Sequence, residues 1–234
     1  MKINALFQLA NPLRSLQARA GEPGSTSPSG AGDVAIDKEP FVVFDTELTG
    51  LNPKKDSIVS IGAVRMQGKR ILVGETFYRV VKPRTPLTAQ SIKIHEIMPA
   101  EAAGSPGLET LLPEFLDFCK DATLVGHAVS IDLAFLNRVM QQLSGKGLRN
   151  PAVDTFRLYQ WVRKREEDAC AFHGGMPEPS DLFSLAERYQ IPVHQAHHAL
   201  WDAFVTAQLL QRLLCQLPRW GIVKRDELLR IARS

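Results

Sequence analysis

Two carboxylates stand one residue apart at the end of an apolar run, in the stretch FVVFDTEL. Because side chains alternate along a strand, Asp45 and Glu47 are predicted to project from one face of it, with Thr46 on the other. Two such charges about 4 Å apart repel by roughly 4 kcal/mol at an effective dielectric near 20. A metal, a proton or a cationic side chain must therefore compensate them. A lone DxE pair also occurs where a strand end simply meets solvent.

Two further acids lie near the starts of predicted helices. Asp132 follows the short strand ATLVGH and a loop, and Asp202 follows a segment that holds His194, His197 and His198. Acids complement the helix dipole in first turns, which would account for Asp132 taken alone. Histidines beside an acid indicate metal binding or acid–base chemistry. Helix geometry pairs His198 with Asp202, whereas His197 reaches the same place from the frayed start of the helix, so both stay open.

The elements that must position these residues begin at Pro40. Three strands come first, in FVVFDTEL, SIVSIGAVRM and ETFYRVVKP. Helical spacing follows in LETLLPEFLDF, then a strand in ATLVGH and a helix from Asp132 to Leu143. A short strand or extended turn at AVDT precedes helices in FRLYQWVRKREE and in SDLFSLAERY, with Ser180 as N-cap. A last helix runs from His198 to about Leu217. This order predicts an α/β fold in which helices cover a mixed sheet.

The composition indicates a soluble globular protein. The 234 residues are 44% hydrophobic and 23% charged, and no apolar run approaches the roughly 18 residues that span a bilayer. A net charge of +3 is too small to indicate nucleic-acid binding by charge alone. Cys119, Cys170 and Cys215 are too widely spaced for a CxxC zinc site, and their odd number argues against a disulfide framework. We therefore expect a reducing, cytoplasmic location.

Four stretches of the chain, in order, resemble the DEDDh family of 3′→5′ exonucleases, of which the epsilon proofreading subunit of bacterial DNA polymerase III is a representative. They are FVVFDTELTGLNPKKDSIVSIGAV, LVGHAVSIDLAFL, VDTFRL and LAERYQIPVHQAHHALWDAFVTAQLL, and the resemblance runs from about Pro40 to Leu214. It implies a ribonuclease-H-like fold, a mixed β-sheet flanked by α-helices. The family's last motif is His, four residues, Asp, and this motif selects His197 over His198 as general base. The implied metal ligands are Asp45, Glu47, Asp132 and Asp202, which together with His197 form the catalytic set.

The resemblance also implies the reaction and its cofactors. We expect hydrolysis of phosphodiester bonds at the 3′ end of single-stranded or frayed nucleic acid, with release of nucleoside 5′-monophosphates. DNA is the favoured substrate and RNA the alternative. Oxygen ligands suit Mg²⁺ or Mn²⁺, and two such ions would neutralise the carboxylates, with Asp45 as the bridge. The rival from another class is a non-cutting module on the same fold that binds nucleic acid or a polymerase, but the retention of all five residues counts against it.

Three residues depart from the family pattern without touching the ligand set. The family commonly has Thr at Leu48, Asn at Ala128 and Phe at Ile131. Leu48 is expected either to be harmless or to give a terminal base an apolar surface. The loss of Asn at position 128 is expected to affect rate and substrate preference more than reaction type. Leu51, Ile94 and His95 are weaker candidates for a nucleotide pocket. Packing explains these three residues equally well.

The chain is expected to divide into three parts. Residues 1–38 end in a Gly/Ser/Pro-rich stretch and are predicted to be a flexible tail or linker. The basic start of this tail suits either a transit peptide or a docking helix for a polymerase or another replication or repair protein. Residues 39–217 are predicted to form the exonuclease domain, and residues 218–234 a basic C-terminal extension. Deletion of residues 1–38 is expected to leave activity on short single strands intact.

Overall fold

The computed structural model of this protein describes residues 34–169, 179 and 181–233. Most of the predicted tail, Cys170 and the predicted N-cap Ser180 lie outside these ranges.

The described residues form one five-stranded mixed sheet. Its strands are β1 (Pro40–Leu48), β2 (Ile58–Gln67), β3 (Arg70–Val80), β4 (Thr123–Gly126) and β5 (Ala152–Asp154). Their order across the sheet is β3-β2-β1-β4-β5. The first three strands are antiparallel neighbours, and β4 and β5 run parallel to β1. The ends of β1, β4 and β5 therefore meet at one edge of the sheet.

Helices cover both faces of this sheet. They are α1 (Ala89–His95), α2 (Pro99–Gly104), α3 (Leu108–Cys119), α4 (Ser130–Ser144), α5 (Thr155–Ala169), α6 (Leu182–Arg188), α7 (Ala199–Gln216) and α8 (Arg225–Ala232). Short 3₁₀ helices occupy Ile36–Lys38 and Leu217–Trp220. The three opening strands and the α/β class agree with the sequence predictions.

Alternate residues of β1 pack into two separate hydrophobic cores. Phe41 and Val43 belong to the core beneath α5, α6, α7 and α8. Val42 and Phe44 belong to the core beneath α3 and α4. Because both faces of β1 are covered, the strand is hydrophobic at every position until it reaches Asp45.

The structure contains short helices that the apolar periodicity did not predict. The helices α1, α2 and α8 have only six to eight residues, too few for a clear repeat. The helix α1 is instead specified by a capping box, in which Thr88 and Ser91 each accept a hydrogen bond from the other residue's backbone N–H. The N-cap of α6 is Asp181, whose carboxylate accepts from the N–H groups of Phe183 and Ser184.

Segments on both sides of the predicted domain pack against it. Ile36 is only 5% exposed and donates its N–H to the carbonyl of Val223, while Ala35 forms a bridge with Lys224. Leu228 of α8 is fully buried in the same core. The limits drawn at residues 39 and 217 remain a prediction, and these contacts favour wider limits. In the part of the chain that is described, no helix has the length and apolar character needed to cross a membrane.

Candidate active site

Three carboxylates from two distant parts of the chain converge at the end of β1. Asp45 and Glu47 come from the strand, and Asp202 comes from the first turn of α7. Each offers an oxygen that lies within 4.8 Å of the others. The sequence predicts that these three acids share one site, and the structure places them close together.

A glycine on the neighbouring strand allows α7 to approach the sheet. Gly62 of β2 lies opposite Asp45 in the β1–β2 ladder. A Cβ atom at Gly62 would lie 2.1 Å from the backbone nitrogen of Leu200, so α7 rests directly on this strand. Only glycine leaves room for such a contact between backbones. This approach brings Asp202 to Asp45 and Glu47.

The fourth predicted acid reaches the site from the other face of β1. Asp132 lies in the first turn of α4 and is 6% exposed. Its Oδ1 accepts a hydrogen bond of 2.5 Å from the hydroxyl of Thr46, the residue between the two strand acids. Strand alternation predicts only that Thr46 points away from the face that carries Asp45. The structure shows that it holds the α4 carboxylate.

A buried acid that the sequence analysis left without a role fixes the loop before α4. The carboxylate of Asp154, at the end of β5, accepts from the N–H of Ala128 at 3.1 Å and from that of Phe156 at 2.9 Å. Ala128 has a φ of 52°, in the left-handed region where Asn is far more common than Ala. An acid at the end of the strand AVDT was the signal for this role. Asp154 therefore positions Asp132 through the loop.

Burial raises the pKa values of all four acids, and the charges of the other cluster acids add to the rise at Asp45 and Glu47. Burial, then the charges of Asp132, Glu47 and Asp202, raise the pKa of Asp45 well above its ordinary value. Burial and the charges of Asp202 and Asp132 raise the pKa of Glu47 to about 8. Burial raises the pKa of Asp132 to about 7, against the opposing hydrogen bonds from Thr46. Burial likewise raises the pKa of Asp202 to about 7, against the hydrogen bond from the His197 backbone. Without a compensating cation, the cluster retains protons near neutral pH.

The two histidines that precede α7 have different surroundings. The His197 side chain is exposed and lies edge-on to the ring of Phe183 at 5.1 Å, while its backbone N–H donates to Asp202 Oδ2 at 3.0 Å. The His198 ring stacks on Tyr78 at 4.6 Å. His198 is also the N-cap of α7, and its carbonyl accepts the N–H of Asp202. The stack occupies one face of the His198 ring, whereas His197 is open to solvent.

Tyr78 is a site neighbour that the sequence analysis missed. It lies on β3 opposite Gly62, in a run that looked like an ordinary strand. Burial, then the charges of Glu101 and Glu47, raise the pKa of Tyr78. The signal was available in the alternation of ETFYRVV, which places Tyr78 on the same face as the carboxylates once the register is known.

The weaker pocket candidates have mixed positions. The His95 side chain is buried, and its Nδ1 accepts the N–H of Ile97 at 3.1 Å. Leu51 and Ile94 are exposed, Leu51 at 74%.

Of the cysteines that the structure describes, Cys119 is buried and Cys215 is exposed.

The donor atoms of the cluster fit a divalent metal. Asp202 Oδ2 receives the His197 N–H, but its Oδ1 is buried and accepts no hydrogen bond from the described residues. A buried carboxylate oxygen without a donor is costly unless a cation or proton meets it. The donors are all carboxylate oxygens, which suit hard ions such as Mg²⁺ and Mn²⁺. The acidic cluster therefore has the chemistry of a divalent-metal site.

The comparison with protein families agrees with this geometry. A family model described as Exonuclease (RNase_T) matches residues 42–210. The chain therefore belongs to this exonuclease family.

Among individual relatives, the DNA polymerase III subunit epsilon of Aquifex aeolicus is 33% identical over 177 residues, which are 76% of this chain and 81% of that protein. A DNA polymerase III subunit epsilon-like protein of Rhodobacter capsulatus is 37% identical over 210 residues, 88% of this chain but only 27% of that protein. The match to the PolC-type DNA polymerase III of Thermotoga maritima covers 13% of its length. The chain thus spans a small part of several relatives that it matches.

Solved structures share the fold. Exonuclease X, in complex with 5′ overhanging duplex DNA, aligns with a TM-score of 0.61 and 22% identity over 82% of this chain and 98% of that one. Escherichia coli exonuclease I, in complex with single-stranded DNA, aligns with a TM-score of 0.66 and 17% identity over 78% of this chain and 42% of that one. The predicted ribonuclease-H-like fold class is confirmed.

Proposed function

We propose that this protein is a metal-dependent 3′→5′ exonuclease that hydrolyses the terminal phosphodiester bond of single-stranded or frayed nucleic acid. The observation that carries the proposal is the convergence of Asp45, Glu47 and Asp202, with Asp132 held beside them by Thr46. Family membership supports the same reaction class. The products would be nucleoside 5′-monophosphates.

The four acids would hold two divalent ions, Mg²⁺ or Mn²⁺. When bound, these ions would lower the pKa of the attacking water and stabilise the charge on the leaving 3′-oxygen. Asp45 is the proposed bridging ligand. The hydrogen bond from the His197 backbone holds Oδ2 of Asp202, and the buried Oδ1, which accepts no hydrogen bond from the described residues, is the proposed ligand atom.

His197 is the proposed general base, and one of its imidazole nitrogens would accept the proton of the attacking water. Its exposed ring can turn towards bound substrate, whereas the His198 ring is stacked on Tyr78. A positioned base contributes roughly 10²- to 10⁴-fold to rate. Loss of His197 should therefore reduce turnover strongly while leaving the carboxylates in place.

Single-stranded DNA is the proposed main substrate, with RNA as the alternative. A terminal nucleotide must be separated from its neighbours to reach the carboxylates, which favours single strands and frayed ends. Two structural neighbours hold single-stranded or overhanging DNA, which supports this choice.

A replicative DNA polymerase or another replication or repair protein is the proposed partner, through the predicted tail of residues 1–38. The names of the relatives, subunits of DNA polymerase III, support this role. A cytoplasmic location follows from the same role and remains part of the proposal.

Degradation of 5′-labelled DNA and RNA of equal sequence tests the function. Purified protein with Mg²⁺ or Mn²⁺ should shorten the strands stepwise from the 3′ end, and a chelator should stop the reaction. Asp132→Ala should abolish cleavage and His197→Ala should slow it by roughly 10²- to 10⁴-fold. Asp117→Ala, at an exposed acid on α3, is the matched control and should cleave normally. Binding of both strands without cleavage under every metal condition would instead favour the non-cutting module.

A further inference from the structure

A cleft outside the carboxylate cluster opens where β1 ends, on the side of α3 and α4. Its volume is about 100 Å³, and it is partly open to solvent. The helix α4 contributes residues to both places. Asp132 in its first turn belongs to the carboxylate site, and Phe135 and Val139 line the cleft. These positions lie roughly 5 to 10 Å along the helix from Asp132. The cleft therefore lies within reach of a strand whose end is at the carboxylates.

Positive charge predominates in the lining of this cleft. Four cations and two acids line it, and both acids already have partners within the protein. Asp56 accepts from the N–H of Asn52 at 2.9 Å, and Glu109 forms an ion pair with Arg84. The remaining cations are Lys55, Lys82 and Arg138.

Two lysines in the cleft have exposed side chains on a fixed backbone. Lys55 donates its N–H to the carbonyl of Asn52 at 2.9 Å, and Lys82 donates its N–H to the carbonyl of Pro106 at 2.8 Å. Within the described ranges, neither lysine ammonium forms an ion pair. Both lysine side chains therefore extend from a fixed backbone at the cleft, and no described acid forms an ion pair with either.

The floor of the cleft is apolar. Ile58, Val81, Leu108 and Phe135 line it and are buried in the core beneath α3 and α4. An apolar floor beneath a cationic rim matches a single nucleic-acid strand, whose bases and sugars are apolar on their faces and whose phosphates are anionic.

We propose that this cleft binds the part of the strand on the 5′ side of the cleaved bond, with Lys55 and Lys82 contacting its phosphates. This inference rests on the proposed exonuclease function and adds a path for the strand. The lysines contribute to the binding of substrates long enough to reach the cleft. They contribute nothing to cleavage of a single nucleotide ester at the carboxylates.

The double variant Lys55→Ala/Lys82→Ala tests the cleft, with Lys38→Ala/Lys146→Ala as the charge-matched control. The control lysines are exposed, one just before β1 and the other just after α4, at the end of the molecule away from the carboxylates. The first probe is the p-nitrophenyl ester of thymidine 5′-monophosphate, which is too short to reach the cleft. The second is a labelled single-stranded DNA oligonucleotide, bound in the presence of chelator and followed by fluorescence anisotropy.

We expect the cleft variant to hydrolyse the ester at the wild-type rate and to bind the oligonucleotide about 20-fold more weakly at about 0.1 M salt. The slope of log affinity against log salt should flatten by about 1.4, since each phosphate contact on a single strand contributes about 0.7. Equal weakening in the control variant, an unchanged slope, or a parallel loss of ester hydrolysis would overturn the inference. A wild-type protein that cleaves neither DNA nor the ester would instead refute the proposed function. The oligonucleotide affinities of the cleft and control variants would then show whether the cleft binds a single strand.

Discussion

The metal-free protein should lose stability as pH rises, because several buried carboxylates must ionise in one place. Burial, with the charges of Asp202 and Asp132, raises the pKa of Glu47 from its ordinary 4.5 to about 8. Since the folded-state pKa lies above the unfolded one, the folded state binds more protons between these two pH values. The destabilisation is therefore absent below about pH 4.5 and complete above about pH 8.

The size of the effect follows from the same shift. One pKa unit corresponds to about 1.4 kcal/mol, so Glu47 alone should lower the free energy of unfolding by roughly 3 kcal/mol between about pH 5.5 and pH 8.5. For a domain of about 200 residues this corresponds to a fall in Tm of roughly 6 to 12 °C. Asp132 and Asp202, with pKa values raised to about 7, act in the same direction.

Thermal unfolding in the presence of a chelator, followed by circular dichroism across this pH range, measures the effect. Glu47→Gln cannot ionise at this position, so its Tm should fall much less steeply with pH than that of the wild type. Glu187→Gln, an exposed residue on α6, is the matched control and should follow the wild type. Saturating Mg²⁺ should raise the wild-type Tm most at high pH, because the ionised acids bind the metal. Parallel pH profiles for wild type and Glu47→Gln in chelator would refute the electrostatic reasoning.

Three further predictions concern groups that position the site, and a fourth concerns the segment before β1. Gly62→Ala should lower turnover by about 10²-fold and destabilise the fold by roughly 1–3 kcal/mol, because the new Cβ displaces α7; Gly74→Ala, with open space around it, should be neutral in the same assays. Ala128→Asn should raise Tm by a few degrees because Asn tolerates the left-handed backbone better, and an unchanged or lower Tm would count against strain at this position. Thr46→Val should reduce turnover with little change in KM, since the α4 carboxylate loses its donor, whereas full activity would show that the hydrogen bond is dispensable. Deletion of residues 1–33 should retain both activity and stability, whereas deletion of residues 1–38 should cost about 2 kcal/mol in chemical denaturation through loss of buried Ile36; equal stability of the two truncated proteins would contradict this.

The family motifs were sufficient to predict the fold class and the acids that approach one another. Local spacing fixed the common face of Asp45 and Glu47, because alternation in a strand depends only on neighbouring residues. The choice of His197 over His198 came from the motif and remains a prediction. The short helices α1, α2 and α8 were not predicted, because they are too short to show a clear apolar repeat.

The sequence alone determined the strand pattern, the order of the main elements and the identity of the acids, all of which depend on residue type and local spacing. Only the tertiary structure decided which groups support those acids. Thr46 meets Asp132 across 86 positions of the chain, and Gly62 meets Leu200 across the gap between β2 and α7. Such contacts depend on strand register and on how closely a helix packs against the sheet. Both are set by the burial of two separate cores rather than by any local pattern.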